Sequence, residues 1–271
     1  MSSSLSQWYL SFLFQINNQL WFLLSWTVMV VCGATAVYYS YYYDLTFFKI
    51  ILTINWPWLC ICMVLLNATN PGFFPLREEY FEQNQDKKFK MYDVNLFGSD
   101  ITAKYKVTYL PRTFCHKCKF NRPLRVHHCR KCDRCVERFD HHCSWIGNCV
   151  GSNNRKIFYT FLCITMFTDY IATITIGYSI YCNVIKYRII TTPLLYFSFC
   201  LFISVAFFIT KLWYFHTQAI CKNYTTYEYI KNKDFNLPNP YDEGIKTNII
   251  KFFFTSNPSC GQLFWTKEYY N

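Results

Sequence analysis

Four long stretches of the chain carry almost no charged side chains, and this feature limits the possible folds more than any other. Residues 1–43 contain no Asp, Glu, Lys or Arg, and three further apolar stretches follow. A membrane-spanning helix needs about 20 predominantly apolar residues. We therefore predict an all-α polytopic membrane protein with four transmembrane helices, at 20–43, 50–66, 157–182 and 194–215.

The charged residues are concentrated between the second and third predicted spans. Only 16% of the 271 residues are charged, the formal net charge is +11, and 17 of the 27 Lys and Arg residues lie in 67–156. A disordered chain would instead have low hydrophobicity and few aromatic residues. The chain divides into an N-terminal segment with spans one and two (1–66), a basic loop (67–156) with a Cys/His-rich core (115–156), spans three and four (157–215), and a C-terminal tail (216–271).

Four spans place both termini and the 67–156 loop on the same side of the membrane. Near the span ends, three basic residues lie on the opposite side and seven on the side of the loop and tail. An excess of Lys and Arg marks the cytoplasmic side. We predict that the termini and the loop are cytosolic. The sequence does not distinguish an ER or Golgi membrane from the plasma membrane.

The loop contains a dense group of residue types that bind metal ions. Seven of the 15 cysteines and five of the six histidines lie within 115–149. Two Cys-x-x-Cys pairs, Cys115/Cys118 and Cys129/Cys132, can each present two thiolates to one ion. A disulfide cluster is the alternative, and a reducing cytosolic location disfavours it. Two tetrahedral ions need eight ligands, which either six cysteines with two histidines or seven cysteines with one histidine would supply.

The complete spacing of this block resembles one protein family. From Cys115 to Phe158 the chain reads Cys-x2-Cys-x9-His-Cys-x2-Cys-x2-Cys-x4-Asp-His-His-Cys-x5-Cys-x4-Asn-x3-Phe. This pattern resembles the Asp-His-His-Cys (DHHC) family of integral-membrane protein S-acyltransferases, or palmitoyltransferases. The family layout, with this block between the second and third of four spans, is similar to the layout that hydropathy predicts here.

The resemblance implies two structural Zn²⁺ ions, each with four protein ligands and no open position for water. It implies interleaved sites, in which the adjacent residues His128 and Cys129 bind different ions. His116 and His127 have no assigned role and are predicted to be solvated loop residues. The implied ligands are Cys115, Cys118, His128 and Cys135 for one ion, and Cys129, Cys132, His142 and Cys149 for the other.

The same resemblance leaves Asp140, His141 and Cys143 free of metal and implies that they are catalytic. A free cysteine has a pKa of about 8.5, so Cys143 would need His141 as a base, with Asp140 orienting the imidazole. We expect a tight turn to bring the three side chains together. Zinc binding at His142 would fix this turn without any contact between zinc and Cys143.

The implied activity is protein S-palmitoyl transfer. Cys143 would accept a fatty acyl group, commonly palmitoyl, from acyl-CoA and pass it in a ping-pong reaction to a cysteine of another protein. The expected partners are fatty acyl-CoA, membrane-associated protein substrates with cytosolic cysteines, and the lipid bilayer; no accessory subunit is specified. Candidate cations for the CoA phosphates, or for anionic lipid headgroups, are Arg122, Arg125, Lys131, Arg134, Arg155 and Lys156.

Two other functions are compatible with parts of the sequence. A catalytically silent zinc-containing membrane scaffold could recruit partners through the basic loop, but it would have no need for all of Asp140, His141 and Cys143. Nucleic-acid binding is disfavoured, because the loop is tethered to a membrane and lacks stacking aromatic residues beside the knuckles.

Segments outside the block carry three further signals. Thr225-Thr226-Tyr227-Glu228 resembles the family's Thr-Thr-x-Glu motif, which implies a hydrogen bond from Thr226 near Asp140. Asn248 lies in a segment similar to the family's C-terminal packing motif, where the asparagine satisfies backbone groups of a span. Asn70 stands where the family usually has the Asp of Asp-Pro-Gly, and Asn also suits a turn.

Asp169 is the one acidic residue in the predicted third span. An ionisable residue at this depth is a functional hypothesis by default, because a charge near the bilayer centre is costly. We expect Asp169 either at the floor of an acyl-chain cavity or in a contact between helices.

Overall fold

The structure, a computed structural model, describes residues 2–74, 114–186, 193–232 and 239–255. Parts 75–113 of the predicted loop and 256–271 of the predicted tail lie outside the described residues. Four long helices contain the predicted spans: α1 (Ser2–Tyr42), α2 (Thr46–Ala68), α3 (Arg155–Tyr181) and α4 (Pro193–Cys221). Each has a segment long and apolar enough to cross a membrane. The prediction of a mostly helical, multi-pass membrane protein is confirmed.

The helices extend beyond the predicted spans. α1 begins at Ser2, α3 continues into a π-helical turn (Cys182–Lys186), and α4 runs to Cys221. Hydropathy marks the part of a helix that suits lipid, whereas tertiary contacts stabilise the more polar turns at its ends. The extension of α4 places His216 within the helix.

α3 lies at the centre of the bundle and contacts the other three long helices. Its buried residues Ile171 and Ile176 pack with Leu52 of α2 and Phe202 of α4. Large apolar side chains on the outside of the bundle, such as Phe197 at 66% exposure, are exposed in the way that lipid contact requires. The apolar core therefore fixes the four helices relative to one another.

The approach of α1 to α2 requires a glycine. A Cβ atom at Gly33 would lie 1.6 Å from Nε1 of Trp56. The same indole N–H donates a hydrogen bond to the Met29 carbonyl oxygen at 2.9 Å. Gly33 thus leaves the space in which the Trp56 ring lies between the two helices.

Between α2 and α3, the Cys/His-rich region folds into three antiparallel β-hairpins. Strands of two or three residues have little stability of their own. The hairpins therefore depend on contacts or cross-links between them. The paired strands are β1 (Phe114–Cys115) with β2 (Phe120–Asn121), β3 (His127–Cys129) with β4 (Arg134–Val136), and β5 (His141–Cys143) with β6 (Asn148–Val150).

Two buried asparagines attach the third hairpin to the membrane helices. Asn148 Nδ2 donates to three carbonyl oxygens at the C-terminal end of α2, at 2.8–3.1 Å. Carbonyls in the last turn of a helix lack partners within the helix. Asn154, directly before α3, donates to the Cys149 carbonyl and accepts from the Gly151 N–H, both at 2.8 Å. The hairpin is therefore fixed to both α2 and α3.

The turn after α2 is held by hydrogen bonds to the side chain of Asn70. Oδ1 of Asn70 accepts from the N–H groups of Gly72 and Phe73, at 2.9 and 2.8 Å. Gly72 has a φ of +104°, and a Cβ atom there would lie 2.4 Å from Oγ of Ser152. The neutral amide oxygen serves this turn, so the turn does not depend on a negative charge.

Two short helices follow α4: α5 (Thr226–Asn232) and α6 (Ile245–Phe254). Asn248, which is 2% exposed, attaches α6 to the end of α4. Its Nδ2 donates to the Cys221 carbonyl at 2.8 Å and to Oδ1 of Asp242 at 2.7 Å, and its Oδ1 accepts from the Glu243 N–H at 3.1 Å. Asn248 thus satisfies a backbone carbonyl at the end of α4.

We expect Asn248→Ala to lower the free energy of unfolding by about 2–3 kcal/mol, because three hydrogen bonds of roughly 1 kcal/mol each are lost in a buried position. The measurement is the thermal unfolding of the purified protein in detergent. Thr247→Ala, at the exposed neighbouring position, is the control and should unfold like the wild type. Equal melting temperatures for all three proteins would contradict a packing role for Asn248.

Candidate active site and metal centres

The three hairpins repeat one local arrangement at intervals of 14 residues. Each copy contains a knuckle cysteine, a second knuckle position three residues later, and then a residue with positive φ. The copies are Cys115, Cys118 and Lys119; Cys129, Cys132 and Asp133; and Cys143, Ile146 and Gly147. The third copy has an isoleucine where the other two have a second cysteine. Cys143 therefore occupies the structural position of a metal ligand in an incomplete knuckle.

Two clusters each bring three cysteines and one histidine together. In each cluster, the four ligand atoms lie within 4.8 Å of one another. The knuckle of one hairpin supplies two thiols, and a cross-strand pair of the next hairpin, His128 with Cys135 or His142 with Cys149, supplies the rest. The clusters are Cys115, Cys118, His128 and Cys135, and Cys129, Cys132, His142 and Cys149.

The distances in the second cluster fit a tetrahedral metal site. Nδ1 of His142 lies 3.3 Å from Sγ of Cys132 and 3.6 Å from Sγ of Cys149, and the two Sγ atoms are 3.4 Å apart. Tetrahedral ligands at zinc bond lengths are separated by roughly 3.5–3.8 Å. All the cysteines of both clusters are free thiols, not disulfides. The residues of each cluster could therefore hold a metal ion.

Cys143 belongs to neither cluster and lies beside His141 and Asp140. Nδ1 of His141 is 2.8 Å from Oδ2 of Asp140, and the same imidazole interacts electrostatically with the Cys143 thiol. The expectation of a tight turn is wrong, because His141–Cys143 is the extended strand β5. Alternate residues of a strand share a face. His141 and Cys143 therefore meet on one face, and His142 between them points to the metal cluster on the other.

The electrostatics of this group favour a thiolate–imidazolium pair. Burial alone would lower the pKa of His141, but the hydrogen bonds with Asp140 and Cys143 outweigh it and raise the pKa to about 9. Burial would raise the pKa of the Cys143 thiol, but His141 and backbone N–H groups of the knuckle turn lower it. Burial would also raise the pKa of Asp140, and the bond to His141 holds it below its ordinary value.

Asp140 is 1% exposed and is held from several sides. Thr226 donates to it twice, from its backbone N–H at 3.1 Å and from Oγ1 at 2.5 Å. Nη2 of Arg155 lies 3.5 Å from Oδ1. The structure thus has the contact between Thr226 and Asp140 that the sequence resemblance implies, and these donors leave the carboxylate little freedom to rotate.

The Thr-Thr-x-Glu segment forms a capping box at the start of α5. The Glu228 carboxylate accepts from the Thr225 N–H at 2.8 Å, and Oγ1 of Thr225 accepts from the Glu228 N–H at 3.2 Å. Arg125, from the hairpin region, binds both oxygens of Glu228 at 2.7 Å. This ion pair fixes the start of α5, and so Thr226, against Asp140.

An apolar cavity of about 620 Å³ lies between the four long helices and reaches Cys143. Its wall on α3 extends from Phe158 to Asp169, about 16 Å at 1.5 Å per residue. Asp169 is 4% exposed, and its Oδ2 has no hydrogen-bond partner among the described residues. Asp169 therefore lies in the cavity wall, at the opposite end of the α3 part of this wall from Phe158.

The predicted cations differ in how free their side chains are to bind a ligand. Arg125 is paired with Glu228, and Arg155 is buried beside Asp140, so both have internal partners instead of facing a ligand. Nζ of Lys156 donates to the carbonyl oxygens of residues 253 and 255, in the last turn of α6 and just after it. Nζ of Lys131 lies 2.9 Å from Oγ of Ser144, next to Cys143. Lys131 is therefore the best placed of these four to meet a polar group bound at Cys143.

Two histidines to which the sequence assigned no role, His127 and His216, pack against other rings in the structure. The prediction that His127 is solvated is wrong, because its ring packs against that of Tyr227, with centroids 3.9 Å apart and an interplanar angle of 32°. His216 was assigned no role by the sequence patterns, yet a ring nitrogen of His216 lies within 4.8 Å of the Asp140 and His141 ligand atoms. The one feature that distinguishes His216 in the sequence is its position as the one histidine outside 115–149.

Comparison with known proteins agrees with this geometry. Residues 108–233 match the family model described as DHHC palmitoyltransferase. "Probable protein S-acyltransferase 2" of Arabidopsis thaliana is 33% identical over 217 residues, covering 72% of this chain and 50% of that protein. "Probable protein S-acyltransferase 1" of the same plant is 30% identical over 213 residues, covering 72% and 61%. "Palmitoyltransferase ZDHHC9" of Homo sapiens is 38% identical over 146 residues, covering 51% and 39%. The chain thus spans about half the length of these curated relatives.

Proposed function

Because the chain belongs to the DHHC palmitoyltransferase family, we propose that it is a protein S-acyltransferase that carries an acyl group on Cys143. One observation carries this proposal. A thiol outside both metal clusters lies beside a histidine that lowers its pKa, and both side chains line an apolar cavity between membrane helices. A free thiol beside a base suits covalent catalysis, and the cavity suits a long hydrocarbon chain.

We propose that Cys143 is the nucleophile, His141 the acid–base group and Asp140 the residue that orients it. The Cys143 thiolate attacks the carbonyl carbon of acyl-CoA, the bond from that carbon to the CoA sulfur breaks, and His141 gives its proton to the departing CoA thiolate. A substrate cysteine then transfers its proton to His141 and its sulfur attacks the acyl-enzyme. The acyl group moves to the substrate, and the Cys143 thiolate is regenerated.

The metal in both clusters is proposed to be Zn²⁺, for which a tetrahedral set of three cysteines and one histidine is a usual site. When bound, zinc would supply structural cross-links, because each cluster already provides four protein ligands. Asp133, whose Oδ1 lies 3.3 Å from Nε2 of His128, would orient that ligand. In this proposal the zinc-binding region is the 115–156 core of the 67–156 loop.

The proposed acyl donor is a long-chain acyl-CoA, commonly palmitoyl-CoA. Its chain would enter the cavity from the Cys143 end, with Asp169 in the wall at the far part of α3. Lys131 stands where a CoA phosphate could bind. The acceptors would be cytosolic cysteines of membrane-associated proteins, with both termini and the hairpins on the cytosolic side of the bilayer.

We expect the purified full-length chain to release about one CoA per protein in a burst when mixed with palmitoyl-CoA, because covalent catalysis accumulates an acyl-enzyme. The adduct should be removed by neutral hydroxylamine, which cleaves thioesters, and peptide mass spectrometry should place it on Cys143. A protein that is folded and holds its metal but forms no adduct would contradict the proposal and would leave a zinc-containing scaffold as the alternative.

A further inference from the structure

His216 lies deep in the protein at the boundary between α4 and the third hairpin. It is 6% exposed and does not line the apolar cavity. It is therefore not placed to touch an acyl chain in the cavity. Its neighbours include the two residues that the proposed function uses to activate Cys143, because a ring nitrogen of His216 lies within 4.8 Å of ligand atoms of Asp140 and His141.

Three rings form a mutually contacting group around the proposed base. The centroid of His216 lies 5.8 Å from that of His141 and 5.2 Å from that of Phe158, and Phe158 lies 5.4 Å from His141. Both contacts of Phe158 are edge-to-face, with interplanar angles of 70° and 74°. These distances lie within the range of favourable aromatic contacts. His141 is therefore packed against a ring of α3 and a ring of α4, which also contact each other.

The His141 ring needs such support because its own torsion angle does not fix it. The second side-chain torsion of histidine has a broad energy profile. Activation of Cys143 requires that one imidazole plane meets both the Asp140 carboxylate and the Cys143 sulfur, and small errors in this alignment are costly. The bond to Asp140 fixes one edge of the ring. Packing of Phe158 and His216 against the ring supplies a second constraint, on its plane.

We propose that His216 is a positioning residue, which holds the His141 ring in the plane of Asp140 and Cys143 by packing against it together with Phe158. The proposal deepens the function proposed above and rests on it for its biological meaning. It also implies that α4, a membrane helix, sets the reactivity of a thiol in the third hairpin. Movement of α4 would then change the reactivity of Cys143.

The test measures the intrinsic reactivity of Cys143, which does not depend on any acyl donor. The full-length chain is treated with iodoacetamide at pH 7, and the alkylation rate of the Cys143 peptide is followed by mass spectrometry. We expect His216→Ala to slow this alkylation by about tenfold, a part of the roughly hundredfold or greater effect of a general base, and His141→Ala to slow it further. His216→Phe keeps a ring in place and should stay within about threefold of the wild type.

Controls separate positioning from general damage to the fold. Thr217→Val changes the next residue of α4, which contacts Tyr159 instead of the active-site group, and should leave the alkylation rate unchanged. Every variant should retain the wild-type metal content. If His216→Ala unfolds, His216→Leu fills the same space without a planar ring and should show the same slow alkylation.

Two results would overturn the role of His216: a wild-type alkylation rate in the folded Ala or Leu variant, or an equally slow rate in His216→Phe. With palmitoyl-CoA, the same variants should lower kcat of acyl-enzyme formation and leave KM within about twofold, because His216 does not line the cavity. If the wild type alkylates quickly at Cys143 but forms no acyl-enzyme, the proposed function fails and the positioning role stands. If the wild type forms the acyl-enzyme and His216→Ala matches it in both assays, the positioning role alone fails.

Discussion

Cys143→Ser is expected to abolish the acyl-enzyme while leaving both metal clusters filled. A serine hydroxyl at this position is a far weaker nucleophile than the thiolate that His141 stabilises, so the rate of adduct formation should fall by at least about a thousandfold. Cys143 is in neither cluster, so the metal content should stay at about two zinc ions per chain. The measurements are labelled palmitoyl-CoA incorporation and elemental analysis of the same preparation.

Cys200→Ser is the matched control for this change. Cys200 is an exposed thiol on α4 that does not line the cavity, so its replacement should leave both incorporation and zinc content unchanged. Loss of zinc in Cys143→Ser would mean that the thiol is a ligand. Full incorporation in that variant would mean that another residue carries the acyl group. Either result would remove the basis of the proposed mechanism.

Cys132→Ser, unlike Cys143→Ser, should lower the zinc content of the protein. Cys132 belongs to the second cluster, with its Sγ 3.3 Å from Nδ1 of His142, so we expect zinc to fall from about two ions per chain to about one. Acyl-enzyme formation should also fall strongly, by about a hundredfold or more, because structural zinc contributes folding energy and this cluster includes His142 of β5, the strand that carries the proposed nucleophile. Zinc analysis, labelled acyl incorporation and thermal unfolding are the measurements.

The two serine variants control each other, because the substitution is the same and the positions are 11 residues apart. Retention of two zinc ions in Cys132→Ser would contradict the ligand assignment. Retention of full acyl incorporation with only one zinc ion would show that the second cluster does not hold β5. A lower melting temperature in Cys132→Ser but not in Cys143→Ser would support the assignment of both residues.

The sequence carries signals for the candidate site beyond the types of its residues. The family resemblance implied both ligand sets, which spacing alone left open, yet the 14-residue repeat was obscured because Ile146 replaces the second cysteine of the third copy. Had β5 been predicted as a strand, the alternation of side chains would have placed His141 and Cys143 on one face. The turn was expected because three neighbouring side chains were not thought able to meet in an extended segment, and such short strands give no periodic hydrophobic signal.

Other parts of the site could not be predicted from the chain alone. Nothing local to His216 indicates that it would contact His141, which is 75 positions earlier. Similarly, Arg155 and Arg125 look like free cations in the sequence, and only the fold gives them partners in Asp140 and Glu228. These contacts join residues far apart in sequence, and their formation depends on how α4 and α5 pack against the hairpins.

The sequence by itself determined which segments can enter a membrane and which residue types can bind metal. Those properties follow from the length of apolar runs and from the chemistry and spacing of neighbouring residues, which are local. Tertiary structure decided the rest: which face of β5 meets the cavity, which residues surround Asp140, and that α4 contributes a ring to the proposed base. These outcomes depend on packing between distant elements, because a side chain acquires its burial, partners and pKa from neighbours that the chain brings together only on folding.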